Sequence, residues 1–264
     1  ILEAPQRLVL DQARARPDER ALTPPSLSPP KTRVRLLLFD IDGTLLTCGG
    51  QSKPLFAEAM VEVFGETGDM DRYDFSGKTD PQIVVDLLTG AGFDREAVLR
   101  DVPRVRDAYL DRLESALDAA RVRVFPGVVE LLDSLASRAD VALGLLTGNW
   151  ERGDGIKLGR AGLDPYFEFG SFGDGRTNRR DLPPVALARA EALHGRRFAA
   201  AESWIVGDSL LDVDCAQANG LRCLGVATGR TSAAALAAAG ADGVVADFRE
   251  RDAVLARLLN GRRG

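Results

Sequence analysis

The feature that most constrains this fold is a series of short apolar runs that alternate with helical patterns. The runs are rich in Val, Leu and Ile and indicate strands buried on both faces, at 35–39, 141–146, 203–206, 222–226 and 243–246. Helical patterns lie between them at 128–136, 184–193, 211–218 and 233–239. Such alternation predicts an α/β fold in which helices cover both faces of a Rossmann-like parallel sheet.

Two parts of the chain depart from this alternation. Residues 49–121 carry helical patterns at 54–64, 80–89, 94–100 and 103–120, with a polar connection at 65–78. We predict that 49–121 form an α-helical domain inserted into a core domain made of 34–48 and 122–264. The proline-rich stretch 23–30 can continue neither a helix nor a sheet ladder. We therefore predict a weakly ordered N-terminal extension over 1–33, in which only 6–20 could form a helix.

Charge and hydropathy narrow the possible partners. A net charge of −5 makes non-specific nucleic-acid binding a poor hypothesis, and an anionic substrate would need local cations. No apolar run approaches the ~18–20 residues that a membrane span needs. We therefore expect neither a nucleic acid nor a membrane as a partner, while the oligomeric state stays open.

Cysteine and histidine usage narrows the chemistry. The three cysteines have no metal-type spacing, and the N-terminus has no signal-peptide pattern, so we expect reduced cysteines and a cytoplasmic location. The single histidine, His194, lies late in a predicted helix and is expected at the surface or capping the helix end. One histidine argues against a His-metal cluster or a Ser/His/Asp triad. Carboxylates are left to carry any chemistry.

Two carboxylates follow the first predicted strand. Asp40 and Asp42 lie at its carboxyl end, and Gly43 allows the chain to turn close to a ligand. One carboxylate can attack phosphorus, while the other can protonate the leaving oxygen and then activate water. An ordinary polar turn after a strand is the alternative for these residues alone.

A second polar segment, Thr147-Gly148-Asn149, follows the run 141–146. The Thr147 hydroxyl and the adjacent backbone N–H can hold a phosphate oxygen, although such a segment alone is more often a simple turn.

A third polar segment, 207–212, contains Asp208 at a strand end and Asp212 near the start of a helix. The alternative is that Asp208 caps this helix and that Asp212 is solvated near its N-terminus, and a capping role is compatible with ligand binding. Ligand sites in parallel sheets lie beyond the carboxyl ends of the strands, so we expect these two residues to meet Asp40 and Asp42 in one crevice. Carboxylates so close together repel one another, and a hard divalent cation such as Mg²⁺ relieves the repulsion.

Together these motifs resemble the haloacid dehalogenase (HAD) superfamily over about 34–248. The matching motifs are Asp-x-Asp-Gly-Thr at 40–44, a strand-end Thr at 147 and Gly-Asp-x-x-x-Asp at 207–212. Segments 76–80, 125–127, 163–167 and 240–243 make the chain most similar to the phosphoglycolate-phosphatase-like branch with a helical (C1-type) cap. The resemblance implies a HAD-like fold and a Mg²⁺-dependent phosphatase that acts on a small phosphorylated metabolite.

The resemblance also implies a role for each matching residue. Asp40 would be the nucleophile that becomes aspartyl-phosphate, and Asp42 would be the general acid and base. Thr147 would hold a phosphoryl oxygen, with Gly148 and Asn149 beside the substrate. The implied Mg²⁺ ligands are Asp40, Asp42 through its main-chain carbonyl, Asp208, and Asp212 either directly or through water.

One motif departs from the family pattern. The third motif is usually a Lys, but 177–184 contain none, and we predict that Arg179 replaces it, with Arg180 as the close alternative. Lys157 is the only lysine between the second and fourth motifs, and its helical setting indicates a structural role. Lys78, in the predicted cap, could point at the far end of the substrate or lie at the surface. Trp150 is expected to pack in the core.

The leading function is hydrolysis of a small phosphomonoester. Dehalogenation is disfavoured because dehalogenases lack an acid at the position of Asp42. A phosphomutase of the same family and a non-catalytic regulatory homologue are the alternatives. The substrate stays open, with phosphoglycolate as the default for the family.

Overall fold

A computed structural model describes residues 34–260 of the chain. The predictions for 1–33, including the helix at 6–20, lie outside the described residues, as do the last four residues of the chain. All described residues belong to one compact unit, Arg33–Gly264.

A six-stranded parallel sheet forms the centre of the structure and confirms the predicted fold class. Its strand order is β5-β4-β1-β6-β7-β8. The strands are β1 (Arg35–Phe39), β4 (Val141–Leu146), β5 (Gly170–Ser171), β6 (Trp204–Gly207), β7 (Arg222–Val226) and β8 (Gly243–Val245). A small antiparallel pair, β2 (Leu46–Thr47) and β3 (Arg123–Val124), lies on either side of a helical segment in the sequence.

Strand β1 contributes side chains to apolar clusters on both faces of the sheet. Leu37 and Phe39 point into one apolar cluster, whereas Leu36 and Leu38 point into a second. This is the period of two that a strand imposes on its side chains. All four side chains are fully buried, and full burial of each contributes about 1.5–3 kcal/mol.

Helices cover both faces of the sheet. Side chains of α4 (Val128–Ala136) and α9 (Arg251–Asn260) belong to the first cluster. Side chains of α6 (Leu182–His194), α7 (Leu210–Ala218) and α8 (Ala233–Ala238) belong to the second. Helix α5 (Glu151–Ala161) follows β4 and adds to the first cluster. Within 34–260, no helix combines the length and apolar character that a membrane span requires.

Three helices lie between β2 and β3: α1 (Ser52–Phe64), α2 (Asp80–Gly90) and α3 (Arg95–Ala116). Their place in the sequence is that of the predicted insertion, while the division into cap 49–121 and core stays a prediction. The expectation of separate helices at 94–100 and 103–120 is wrong, because α3 runs through Pro103. Val98, Val102 and Val105 continue one buried face across this proline. Pro103 itself is exposed, so water can satisfy the carbonyl that loses its helical hydrogen bond.

Candidate active site

Three neighbouring strands end in the polar residues that the sequence singled out. Asp40 follows β1, Thr147 follows β4 and Asp208 follows β6. Because β4, β1 and β6 are adjacent and parallel, these three residues lie at the same edge of the sheet. A backbone hydrogen bond from Asp40 N to Val206 O, 2.9 Å long, fixes the start of the first motif against β6.

The carboxylates of Asp40, Asp208 and Asp212 form one buried cluster. One oxygen from each lies within 4.8 Å of the others. The Thr44 hydroxyl donates to Asp208 Oδ1 at 3.1 Å. Ser209 donates to Asp212 Oδ2 from its backbone N (3.0 Å) and its hydroxyl (2.6 Å), as part of the capping box that begins α7. Asp212 therefore takes part in the capping box and in the carboxylate cluster at the same time.

Two glycines leave room for Asp208. A Cβ on Gly229 would lie 1.7 Å from Asp208 Oδ2, and one on Gly43 would lie 2.5 Å from the same atom. Gly43 also has φ of +90°, which L side chains rarely adopt. A side chain at either position would therefore displace the carboxylate of Asp208, and Gly229 is a residue of the site that the sequence reasoning did not select. It lies three residues after β7, at the same sheet edge as the three motifs, and that was the available signal.

Arg179 lies between two members of the carboxylate cluster. Its Nη2 donates to Asp40 Oδ1 at 2.9 Å and to Asp212 Oδ1 at 2.5 Å, and the side chain is 4% exposed. Arg180, by contrast, pairs with Asp214, with 54% of its side chain exposed. The structure thus brings Arg179 into the cluster and leaves Arg180, predicted as a substrate-binding residue, outside it.

The electrostatics of the cluster favour a bound cation. Burial, helped by repulsion from Asp212 and Asp42, raises the pKa of Asp40 to about 7, although the guanidinium of Arg179 acts in the opposite direction. Burial, followed by repulsion from Asp40 and Asp212, raises the pKa of Asp208 to about 8. One guanidinium therefore does not neutralise three carboxylates. Hard oxygen donors with excess negative charge fit Mg²⁺, with Asp40 and Asp208 as the residues that would hold it.

The side chain of Asp42 turns away from this cluster. Its Oδ2 accepts hydrogen bonds from Asn149 Nδ2 at 2.7 Å and from Lys157 Nζ, and 40% of the side chain is exposed. The carboxylate of Asp42 is therefore not part of the cluster that Asp40, Asp208 and Asp212 form. The resemblance implies a metal contact only through the main-chain carbonyl of Asp42.

Lys157 is a residue of the site that the sequence reasoning did not select. Its helical setting predicts a structural role, and the structure places its ammonium in contact with Asp42, with only 3% of the side chain exposed. Asp154, one helical turn earlier on α5, accepts a 2.9 Å hydrogen bond from Asn149 Nδ2. Burial lowers the pKa of Lys157, but Asp42, Tyr109 and Asp154 outweigh it and raise the pKa overall. The i, i+3 spacing of Asp154 and Lys157 was the available signal.

The loop 76–80, which leads into α2, contacts residues of the site. Asp80 N donates to Gly148 O at 2.8 Å, and Asp80 Oδ2 accepts from Trp150 N at 2.9 Å. Arg179 Nη1 donates to Gly77 O at 3.2 Å. The backbone around Gly148 and Gly77 thus joins the second motif, the loop 76–80 and Arg179.

The remaining predicted residues lie near the site in different ways. Thr147 is buried, and its Oγ1 accepts from Asn149 N at 3.3 Å. The ammonium of Lys78 lies 3.8 Å from the centre of the Tyr73 ring and 3.7 Å from Asp86. Lys78 thus engages its own helical segment with its side chain, while its backbone carbonyl approaches Gly148.

The expectations for Trp150 and His194 are confirmed. Trp150 is buried and stacks on Phe56 with 5.7 Å between ring centres. His194 ends α6 and is exposed, with its ring edge-to-face against Phe169 and Phe198.

Comparison with known proteins agrees with the motifs and the fold. The model of haloacid dehalogenase-like hydrolases matches residues 37–226. A phosphoglycolate phosphatase of Pseudomonas fluorescens is 29% identical over 223 residues, which cover 82% of this chain and 78% of that protein. One of Pseudomonas putida is 28% identical over 209 residues, covering 76% and 72%.

Two solved structures share the fold. A predicted phosphatase from Clostridium acetobutylicum superposes with a TM-score of 0.65 at 24% identity, covering 86% of this chain and 100% of that one. A haloacid dehalogenase-like hydrolase from Bacteroides fragilis gives a TM-score of 0.63 at 20% identity, covering 83% and 100%. The family match spans every motif from Asp40 to Asp212, and this chain belongs to the haloacid dehalogenase-like hydrolase family.

Proposed function

We propose that this chain is a Mg²⁺-dependent phosphatase that hydrolyses a small phosphomonoester through an aspartyl-phosphate on Asp40. The observation that carries the proposal is the buried cluster of Asp40, Asp208 and Asp212 with Arg179 at the carboxyl end of the sheet. A buried carboxylate beside a fixed guanidinium is suited to an anionic substrate, because the arginine offsets the negative charge of both the nucleophile and the phosphoryl group.

The proposed chemistry has two steps. An oxygen of Asp40 attacks phosphorus, the bond to the leaving oxygen breaks, and Asp42 gives its proton to that oxygen. Water then attacks phosphorus while Asp42 takes a proton from the water. The bond between the Asp40 oxygen and phosphorus breaks, which frees phosphate and restores the carboxylate. Thr147 and the backbone N–H groups that follow it hold the phosphoryl oxygens in line with the attacking group.

The proposed metal site uses Asp40, Asp208 and the main-chain carbonyl of Asp42. Mg²⁺ bound there would supply positive charge opposite the phosphoryl oxygens. Both oxygens of Asp212 accept hydrogen bonds, from Arg179 and from Ser209. Asp212 is therefore better suited to holding Arg179, or to reaching the ion through water, than to binding it directly.

The proposed substrate class is based on the two similar Pseudomonas proteins. The matched proteins of both Pseudomonas species are phosphoglycolate phosphatases, so we propose a short-chain phosphomonoester of this kind. Helices α1–α3 and the loop 76–80 support a cap over 49–121 that selects the leaving group. The buried free cysteines Cys48, Cys215 and Cys223 fit a reducing compartment, and we propose the cytoplasm.

The test is a screen of phosphomonoesters, including 2-phosphoglycolate, with MgCl₂ or with EDTA. We expect phosphate release that needs Mg²⁺ and that falls by more than roughly 10⁴-fold in Asp40→Asn, because a nucleophile is lost while side-chain shape is kept. Asp252→Asn makes the same chemical change at an 85% exposed side chain on α9 and should retain wild-type rates. Undiminished hydrolysis by Asp40→Asn would contradict the proposal, as would interconversion of sugar phosphates without phosphate release.

A further inference from the structure

We propose that Lys157 is a positioning residue that holds Asp42 in place for proton transfer to the leaving oxygen. The inference rests on the proposed phosphatase function and assigns a task to a buried lysine outside the family's four motifs. Lys157 acts through Asp42 rather than on the substrate.

The contact geometry supports a positioning task. Lys157 Nζ and Asn149 Nδ2 both donate to the same oxygen, Asp42 Oδ2. Two donors that converge on one carboxylate oxygen restrict rotation of the carboxyl group. They also leave Oδ1 as the oxygen that can carry the transferable proton.

The helix that carries Lys157 also supports Asn149. Asp154 Oδ1 accepts from Asn149 Nδ2, and Asp154 lies on the same face of α5 as Lys157. Asn149 thus donates to Asp42 and to Asp154 through one amide group. One turn of α5 therefore carries Lys157 and, through Asp154, orients Asn149. It positions both side chains that donate to Asp42.

The ammonium of Lys157 is buried among acidic groups. Burying an ammonium costs several kcal/mol unless such groups offset it. Asp42, Asp154 and Tyr109 all interact with it, and 3% of the side chain is exposed. Of these three groups, Asp42 accepts a hydrogen bond from Nζ, and the positioning task is assigned to that contact.

Substrates with different leaving groups distinguish a positioning role of Lys157 from a general loss of structure. An alkyl phosphate such as 2-phosphoglycolate expels an alkoxide, which needs a proton as its bond to phosphorus breaks. p-Nitrophenyl phosphate expels a stabilised phenolate, which leaves without one. Misplacing Asp42 should therefore slow the first reaction far more than the second, and kcat/KM reports the step in which the leaving group departs.

The experiment measures kcat/KM with Mg²⁺ on both substrates for wild type and Lys157→Met. Positioned general acids contribute about 10²–10⁴-fold, so we expect a loss in this range for 2-phosphoglycolate and less than about 10-fold for p-nitrophenyl phosphate. Arg160→Met is the matched control, because Arg160 lies one turn further on α5, exposed, with Nη2 bonded to Glu114 O at 3.1 Å. It should change neither value.

Lys157→Gln, which keeps a hydrogen-bond donor in the buried position, is measured alongside in case Lys157→Met does not fold. An equal loss on both substrates, or no loss on either, would overturn the role of Lys157 while leaving the phosphatase function intact. If wild type hydrolysed neither probe with Mg²⁺, the proposed function would fail, and this inference with it.

Discussion

Two adjacent arginines, Arg179 and Arg180, show how strongly the surroundings decide what a side chain does. Arg179 is buried between Asp40 and Asp212, where water cannot screen the charges. Arg180 forms its ion pair with Asp214 in contact with solvent. Breaking a buried pair leaves an uncompensated charge and costs roughly 3–5 kcal/mol, whereas an exposed pair contributes about 0–1 kcal/mol.

Arg179→Met and Arg180→Met should therefore differ in both stability and rate. We expect Arg179→Met to lower the free energy of unfolding by about 3 kcal/mol and kcat/KM by roughly 10²–10³-fold, since the change removes the charge that we propose stabilises the phosphoryl group. Arg180→Met should lose less than about 1 kcal/mol and keep its rate. Urea unfolding and initial-rate assays of the two variants measure both quantities. Similar effects of the two changes would contradict the assignment of Arg179 to the site.

Strand ends made part of the site predictable from the sequence. Asp40, Thr147 and Asp208 each follow an apolar strand directly, so parallel topology was enough to bring them together. Lys157 lies in mid-helix, ten residues after Thr147. Helical periodicity gives the face on which it lies, but not which element that face meets. The tertiary fold brings its ammonium to Asp42, beyond the end of β1.

At the scale of elements, the start of α2 and the loop after β4 form one unit. Asp80 bonds to Gly148 through its backbone and to Trp150 through its carboxylate. Thr79 caps α2 and also donates from its hydroxyl to Arg176 O at 2.7 Å. These contacts hold the loop 76–80 against the loop after β4, and we propose that this segment excludes water during reaction.

Gly148→Ala should disrupt this unit. A Cβ at position 148 would lie 2.1 Å from the carbonyl oxygen of Lys78 and 2.9 Å from Cα of Thr79, so the backbone of the loop must move. We expect a loss of about 1–3 kcal/mol in stability, a fall in kcat/KM and faster amide exchange over 76–82.

Gly155→Ala is the matched control for this change. A Cβ there would meet nothing within 4 Å, and the residue lies inside α5. Alanine should stabilise the helix by about 0.5–1 kcal/mol and leave exchange over 76–82 unchanged. Hydrogen exchange with mass spectrometry compares the two variants. Equal exchange of the loop in Gly148→Ala and wild type would show that the close approach is not required.

Elements with strong periodicity could be predicted from the sequence, and those fixed by their neighbours could not. The strands 35–39 and 141–146 and the helix 128–136 have the predicted bounds, because their apolar patterns end abruptly at polar residues. Strand β5 has only two residues, Gly170 and Ser171, and exists because β4 offers it a partner. Helix α3 continues through Pro103 because packing of its buried face outweighs the local penalty.

At the scale of the whole molecule, folding concentrates acidic groups in a region with little solvent. Burial raises the pKa of Asp80 and of Asp40 to about 7, that of Asp208 to about 8, and that of Asp154 well above its usual value. In the unfolded chain these groups lose their protons near pH 4. Between about pH 4 and 8, the folded state therefore binds more protons than the unfolded state.

The metal-free protein should consequently become less stable as pH rises from 5.5 to 8.5, since the state that binds more protons is favoured at low pH. Partly exposed carboxylates whose pKa is lowered by arginine, such as Asp140 and Asp214, act with the opposite sign but below about pH 4, outside this window. The proposed Mg²⁺ site uses the ionised form of the cluster, so the stabilising effect of Mg²⁺ should grow with pH. At 100 times its Kd it contributes about 2.7 kcal/mol, or roughly 5–10 °C in Tm for a domain of this size.

Scanning calorimetry at pH 5.5, 7 and 8.5, with EDTA or MgCl₂, measures these shifts. Asp208→Asn removes a carboxyl whose pKa is raised to about 8 and one proposed ligand, so it should flatten the decline with pH and abolish the gain from Mg²⁺. Asp252→Asn, at an exposed position on α9, should behave as wild type. A metal-free Tm that rises across this window, or a Mg²⁺ effect that is the same at pH 5.5 and 8.5, would mean that the buried carboxylates are not the groups that couple folding to the metal.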